Sequence, residues 1–188
     1  MTSKLLTKLI DKAIVPAVLL LTTRIISIVL ISSYLNFDFN VGLSGFTFQN
    51  SIEYVFVNSY STLVMAAVLV VGLIYVLIKS YAFHDSHIKP GITAKLFELK
   101  IPSLIQSSFD IYSQAAIWIS YAYLLLIISA IMNLNKFIYP WVFYIVLGMT
   151  VVTTVFFIFD IENEIKLSKE RKDEYDEDTE FLEMEKNG

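Results

Sequence analysis

The chain contains no cysteine, which excludes disulfides, thiolate metal ligands and cysteine nucleophiles. Histidine is almost as scarce. The two present, His84 and His87, have an i,i+3 spacing that suits one helix face, but a zinc site wants three or four ligands. They are weak metal candidates, read here as a solvated helix end, and neither a metal nor a cofactor is expected. Charged residues make up only 17% of the chain, with no basic surface of the kind that binds nucleic acid. HExxH, GxSxG, a P-loop, a glycine-rich dinucleotide turn and paired membrane aspartates are all missing. No enzyme is expected, and no internal repeat points to an inverted-repeat transporter.

What the chain has in excess is apolar sequence. Hydrophobic residues reach 56%, where a soluble domain has about 45–50%, and the mean hydropathy is +0.64. Uncharged runs cover 13–23 and 25–37, separated by Arg24, then 54–78, 111–135 and 137–159. A run of about 20 apolar residues spans the hydrocarbon core, so four transmembrane helices are expected at about 13–35, 54–83, 102–132 and 137–161. Barrel strands are only about 10 residues long and alternate polar with apolar, which these runs do not. The reading is an all-α polytopic membrane protein, a bundle of four transmembrane helices over 1–172, followed by an acidic tail. That tail, 173–188, carries a net −7, so the remainder of the chain is +3 despite the overall −4.

The charges orient the helices. Lys4, Lys8 and Lys12 precede the first apolar run. That run is too long for a signal peptide and no A-x-A-like site follows it. It is read as a first transmembrane helix with Pro16 in its first turn, preceded by an amphipathic lead-in over 1–11. The loop 36–59 holds Asp38 and Glu53 but no lysine or arginine, which makes it extracytoplasmic by the positive-inside rule. Its density of phenylalanine and tyrosine predicts a turn or re-entrant dip at the interface. Asn50 and Glu53 have capping-box spacing, which starts the second helix near Ser51.

The second loop carries Lys79, His84, His87, Lys89, Lys95 and Lys100 and is cytoplasmic by the same rule. An interfacial helix is expected there over 92–101, with Pro102 opening the third transmembrane helix. Lys166, Lys169, Arg171 and Lys172 follow the fourth. Both termini are then cytoplasmic (N-in/C-in), in a multi-pass protein of the cell (plasma or inner) membrane. Glu162 with Lys166 and Lys166 with Glu170 are i,i+4 pairs that extend the last helix as a stalk. The tail is too charged to fold alone and is expected to be disordered. It is read first as a solvating extension, with its EFLEME segment, by the alternative reading, the place for a basic cytoplasmic partner to dock.

The third helix is unusual in carrying a polar seam. Ser103, Gln106, Ser107, Asp110, Ser113, Gln114 and Tyr121 share one face at 100° per residue. In the middle of the first helix stands Arg24, where an isolated arginine costs about 2.5–3.5 kcal/mol on insertion scales. At about 1.5 Å per residue, Arg24 lies roughly 16 Å deep and Asp110 roughly 10–12 Å. An Arg24–Asp110 pair is therefore expected, with Ser113, Gln114 or Tyr121 completing the guanidinium's partners. Ala13 and Ala17 on the same face as Arg24 favour close approach, and Thr62 with Ala66 and Ala116 with Ser120 are further small pairs.

Two functions fit a buried polar seam of this kind. If it is a dry contact that fixes helix register, the chain is a non-enzymatic integral membrane subunit or scaffold. If it is wet, the chain is a small oligomeric channel or transporter component with a cytoplasm-facing path along the third helix. The expected partners are the lipid bilayer and further copies or other membrane subunits.

Overall fold

The computed structural model describes residues 2–42, 45–83, 90–100, 105 and 107–187. In chain order these form α1 (Thr2–Leu35), β1 (Phe39–Gly42), β2 (Gly45–Phe48), α2 (Ser51–Phe83), α3 (Pro90–Glu98), α4 (Ser108–Leu134) and α5 (Pro140–Asn187). Four helical stretches are long and apolar enough to cross a membrane: Ile10–Leu35, Ser51–Tyr81, Ser108–Leu134 and Pro140–Lys166. The chain divides into two compact units, Met1–Thr153 and Thr154–Gly188.

The helix ends follow local chemistry. At the end of α1, Asn36 takes a left-handed φ of 55°, and the Phe37 N–H donates to the Ser32 carbonyl at 2.9 Å. At the end of α4, Lys136 has φ 59° and the Phe137 N–H donates to the Met132 carbonyl at 2.8 Å. Both are Schellman closures, which satisfy the last orphan carbonyls by a left-handed residue just past the helix. α2 opens on Asn50, whose side-chain oxygen accepts from the Ile52 N–H at 3.0 Å, as an N-cap does. Pro140 occupies the first position of α5, where its missing N–H costs nothing.

Three boundaries differ from expectation. α1 is one continuous helix from Thr2, so the lead-in belongs to it and Pro16 lies in the helix body rather than the first turn. α4 starts at Ser108 on the N-cap Ser107, whose extended backbone (φ −71°, ψ 155°) lets its hydroxyl accept from the Asp110 N–H. The helix thus begins six residues later than the expected 102, and Pro102 itself lies outside the described residues. The backbone of α5 is helical through the acidic stretch to Asn187, where no fold was expected, because a solvated helix satisfies its own backbone and needs no core.

Within the first unit, α2 packs against both α1 and α4, and α1 against α4. A stripe on α2 that includes Ser59, Thr62, Ala66, Leu69, Leu73 and Val76 is buried. Ala115 and Ala122 of α4 are buried as well. Where lipid tails are as apolar as leucine, helices associate through such small residues and close packing. Of the expected small pairs, Thr62 and Ala66 point inward, while Ala116 and Ser120 are exposed. Large apolar residues such as Val18, Leu21, Val71 and Ile127 face outward, as a lipid-bathed surface requires.

Instead of a simple turn, a β-hairpin joins α1 to α2. Phe39 pairs with Phe48, Asn40 with Thr47, Val41 with Phe46 and Gly42 with Gly45. Gly45 has φ +99°, a conformation open to glycine. Rings continue from the hairpin into the helix ends: Phe48 meets Tyr54 at 6.2 Å and Tyr54 meets Phe137 edge-on at 5.6 Å. Tyr60 meets Trp141 at 6.2 Å. The Ser59 hydroxyl accepts from the Tyr139 N–H at 2.9 Å, tying α2 to the segment just before α5.

The second unit is the continuation of α5 from Thr154.

Candidate functional site

Lys12, Arg24 and Asp110 take part in two separate contacts among the described residues. The first joins the start of the α1 span to the start of α4. Lys12 Nζ lies 2.8 Å from Asp110 Oδ1 and donates to Ser113 Oγ at 3.0 Å. Asp110 is fixed from its own helix as well, since Ser107 Oγ donates to Asp110 Oδ2 at 3.3 Å. A carboxylate in the first turn of a helix is favoured by the helix dipole, so Asp110 is stabilised by α4 and by Lys12 together. Both side chains are partly exposed, 17% for Lys12 and 27% for Asp110.

About three turns beyond Asp110 on α4, Tyr121 OH donates to the Ala13 carbonyl, next to Lys12, at 3.1 Å. Helical side chains lean towards their own N-terminus, which brings the hydroxyl of Tyr121 down to this level. Proline in a helix body removes an i→i−4 bond and displaces the carbonyls of the preceding turn. The carbonyl that Pro16 leaves without its helical donor is that of Lys12; Tyr121 bonds the next one, at Ala13, and ties α4 to α1 beside the proline. Gln114 borders a cavity of about 400 Å³ that also touches Asp11, Lys12, Lys79 and Trp118.

The second contact lies about 18 Å further along α1. There Arg24 Nη1 donates to the Asn58 carbonyl at 3.3 Å, to Ser61 Oγ at 2.6 Å and to Thr62 Oγ1 at 3.1 Å, while Nη2 donates to Asn58 Oδ1. Residues 58, 61 and 62 stand at i, i+3 and i+4 and share one face of α2. The Ser61 hydroxyl donates to the Val57 carbonyl at 2.6 Å and that of Thr62 to the Asn58 carbonyl at 2.7 Å. Each hydroxyl proton is spent on its own helix, so each oxygen is presented to the guanidinium as an acceptor. Asn58 Nδ2 is buried without a partner among the described residues.

The expected Arg24–Asp110 pair is therefore not formed. Arg24 is held by α2 through neutral oxygens, and Asp110 meets Lys12. The depth count failed because it started α4 at residue 102; starting at Ser108 moves Asp110 about 9 Å towards the membrane surface, out of Arg24's reach. Asp110, Ser113 and Tyr121 do turn towards α1, but at Lys12 and Ala13. Sequence reasoning missed Lys12, which it counted among the basic residues preceding the span, and the N-x-x-S-T spacing of Asn58, Ser61 and Thr62 was its overlooked signal. Gln106, His84 and His87 lie outside the described residues. Among the described residues no group of three or more His, Cys, Asp or Glu side chains is placed to hold a metal.

Between α2, α4 and the start of α5, the interior leaves only about 10 Å³ of space, bordered by Ala66, Leu73, Leu125 and Val146 among others. That is room for one water at most. Lys12 and Gln114 border the larger cavity, whereas Arg24 and Tyr121 do not. Comparison with known protein families, with curated proteins and with solved structures finds no match for this chain.

Proposed function

We propose that this protein is a non-enzymatic integral membrane subunit or scaffold. The proposed arrangement is a bundle of four transmembrane helices in a plasma or inner membrane, with both termini cytoplasmic and α3 lying at the cytoplasmic interface. One observation carries this reading: Lys12, Arg24 and Asp110 are engaged in helix-to-helix contacts at two separated levels, Lys12–Asp110 and Arg24 with Asn58, Ser61 and Thr62. A conducting path needs polar groups in series with room for water between them. Here the two levels are separated by about 18 Å, and the interior space described between α2, α4 and α5 is about 10 Å³. Stability of the bundle and presentation of its ends to partners are then the work of the chain, with the lysine-bearing loop and acidic tail as the contact surfaces for other membrane subunits or a cytoplasmic partner.

The cavity beside Gln114, at about 400 Å³, favours the second reading, a channel or transporter component in which several copies line a cytoplasm-facing path along α4. The absence of cysteine makes the test direct. Single-cysteine variants at Asp110, Gln114 and Tyr121 are exposed to a membrane-impermeant thiol reagent in inverted vesicles. The scaffold reading expects labelling at 110 and 114 and protection at 121. Labelling at 121 at a comparable rate overturns it in favour of a water-filled path.

A further inference from the structure

The cavity beside Gln114 has a polar mouth and an apolar extension. Its walls include Asp11, Lys12, Lys79, Gln114, Tyr75 and Trp118. Tyr75 and Trp118 also border a second cavity, about 440 Å³, whose remaining lining is apolar and includes Leu19, Val64, Val68 and Val71. The two spaces share a wall and together run from the end of α2 towards its middle. From Tyr75 to Val64 the helix rises about 16 Å, close to the depth of one leaflet of a ~30 Å hydrocarbon core.

The charges at the mouth are not all spent. Lys12 is engaged by Asp110. Lys79 is held 4.6 Å above the Tyr75 ring, and this cation–π contact places its ammonium at the rim without neutralising it. Among the described residues, neither Lys79 nor Asp11 has an ion-pair partner. The mouth thus offers one cation and one carboxylate on the walls of the same cavity, next to a slot that is apolar and about one leaflet deep.

We propose that this composite cavity is a binding site for a phospholipid bearing a primary ammonium headgroup, of the phosphatidylethanolamine type. The lipid phosphate meets Lys79, its ammonium meets Asp11, and one acyl chain lies along α2 between Leu19 and Trp118. The charge pattern selects this occupant. A purely anionic headgroup leaves Asp11 facing a like charge, and a quaternary amine has no N–H to give the carboxylate. The site does not depend on whether the seam is wet or dry.

Trp118 borders both spaces and reports on them. The full chain has two tryptophans, and Trp141→Phe leaves Trp118 as the sole indole. This protein is reconstituted in phosphatidylcholine bilayers containing a low mole fraction of chain-brominated phosphatidylethanolamine, phosphatidylglycerol or phosphatidylcholine. We expect the ethanolamine lipid to quench Trp118 with about fivefold higher apparent affinity than the choline lipid, the size of one interfacial charge contact. Asp11→Asn removes that preference and the discrimination between the ethanolamine and glycerol lipids, whereas Lys79→Gln weakens quenching by the ethanolamine and choline lipids alike, because both carry the phosphate. Equal quenching by all three lipids in the Lys79 protein overturns the proposal, as does strongest quenching by the glycerol lipid. These comparisons are made within one folded protein and do not depend on the variants' stability.

Discussion

Trp118 of α4 lies directly against Gly72 of α2: a Cβ built on Gly72 comes within 2.3 Å of the indole ring. Glycine is required there because no side chain fits between the two helices. Gly72→Ala forces the indole to move and should destabilise the protein by about 1–3 kcal/mol, the usual cost of overpacking. Thermal unfolding in detergent measures this, and Trp118→Leu in the same background should recover part of the loss. Equal stability of Gly72→Ala and the parent would show that the ring is free to shift.

The Lys12–Asp110 contact predicts a coupling that the Arg24–Asp110 combination lacks. Lys12→Ala and Asp110→Asn should each cost about 0.5–2 kcal/mol, and the double variant should lose less than their sum, as residues in contact do. Arg24→Gln with Asp110→Asn should add to within about 0.5 kcal/mol. Reversed results in the two cycles would restore the direct pairing of Arg24 with Asp110.

Tyr121→Phe removes a hydroxyl that bonds the Ala13 carbonyl and should cost about 0.6 kcal/mol, the average for side-chain hydrogen bonds between membrane helices. Thermal unfolding of the two proteins in detergent measures the loss.

Among the described residues Arg24 has neutral partners only, so its removal strands no carboxylate there. Arg24→Gln should raise the membrane-insertion efficiency of an isolated α1 segment by relieving the cost of a central arginine, about 2.5–3.5 kcal/mol. It should destabilise the folded protein by no more than about 1–2 kcal/mol, because an amide still donates to Asn58 Oδ1. Glycosylation-reporter insertion and detergent unfolding read the two effects separately.

Orientation has its own check. A reporter fused after Gly188 should read as cytoplasmic, and one placed at the tip of the hairpin between β1 and β2 should read as extracytoplasmic. The opposite pattern would invert the proposed topology.

The four apolar spans were readable because each is a long uncharged run, and the start of α2 because Asn50 and Glu53 have a local spacing with a local meaning. The partners of Arg24 and Asp110 were not. Pairing depends on relative depth, and depth depended on where α4 begins, which Ser107 decides through a hydroxyl that caps Asp110. That signal stood in the sequence as Ser107-Ser-Phe-Asp110, but Pro102 offered a competing start. The hairpin was hidden for a related reason. Phe39, Val41, Phe46 and Phe48 follow a two-residue alternation, yet the surrounding aromatics suggested only an interface. The match of Gly72 to Trp118 joins two helices far apart in sequence, so no local pattern announces it.

The bonds from Arg24 to Asn58, Ser61 and Thr62 also bear on biogenesis. An α1 that leaves the ribosome alone carries an unmet guanidinium into the bilayer, whereas the short hairpin segment delivers the matching face of α2 soon afterwards. α1 and α2 are therefore expected to partition as one helical pair, with the arginine already ligated, and a lengthened linker between them should delay stable integration of the first span.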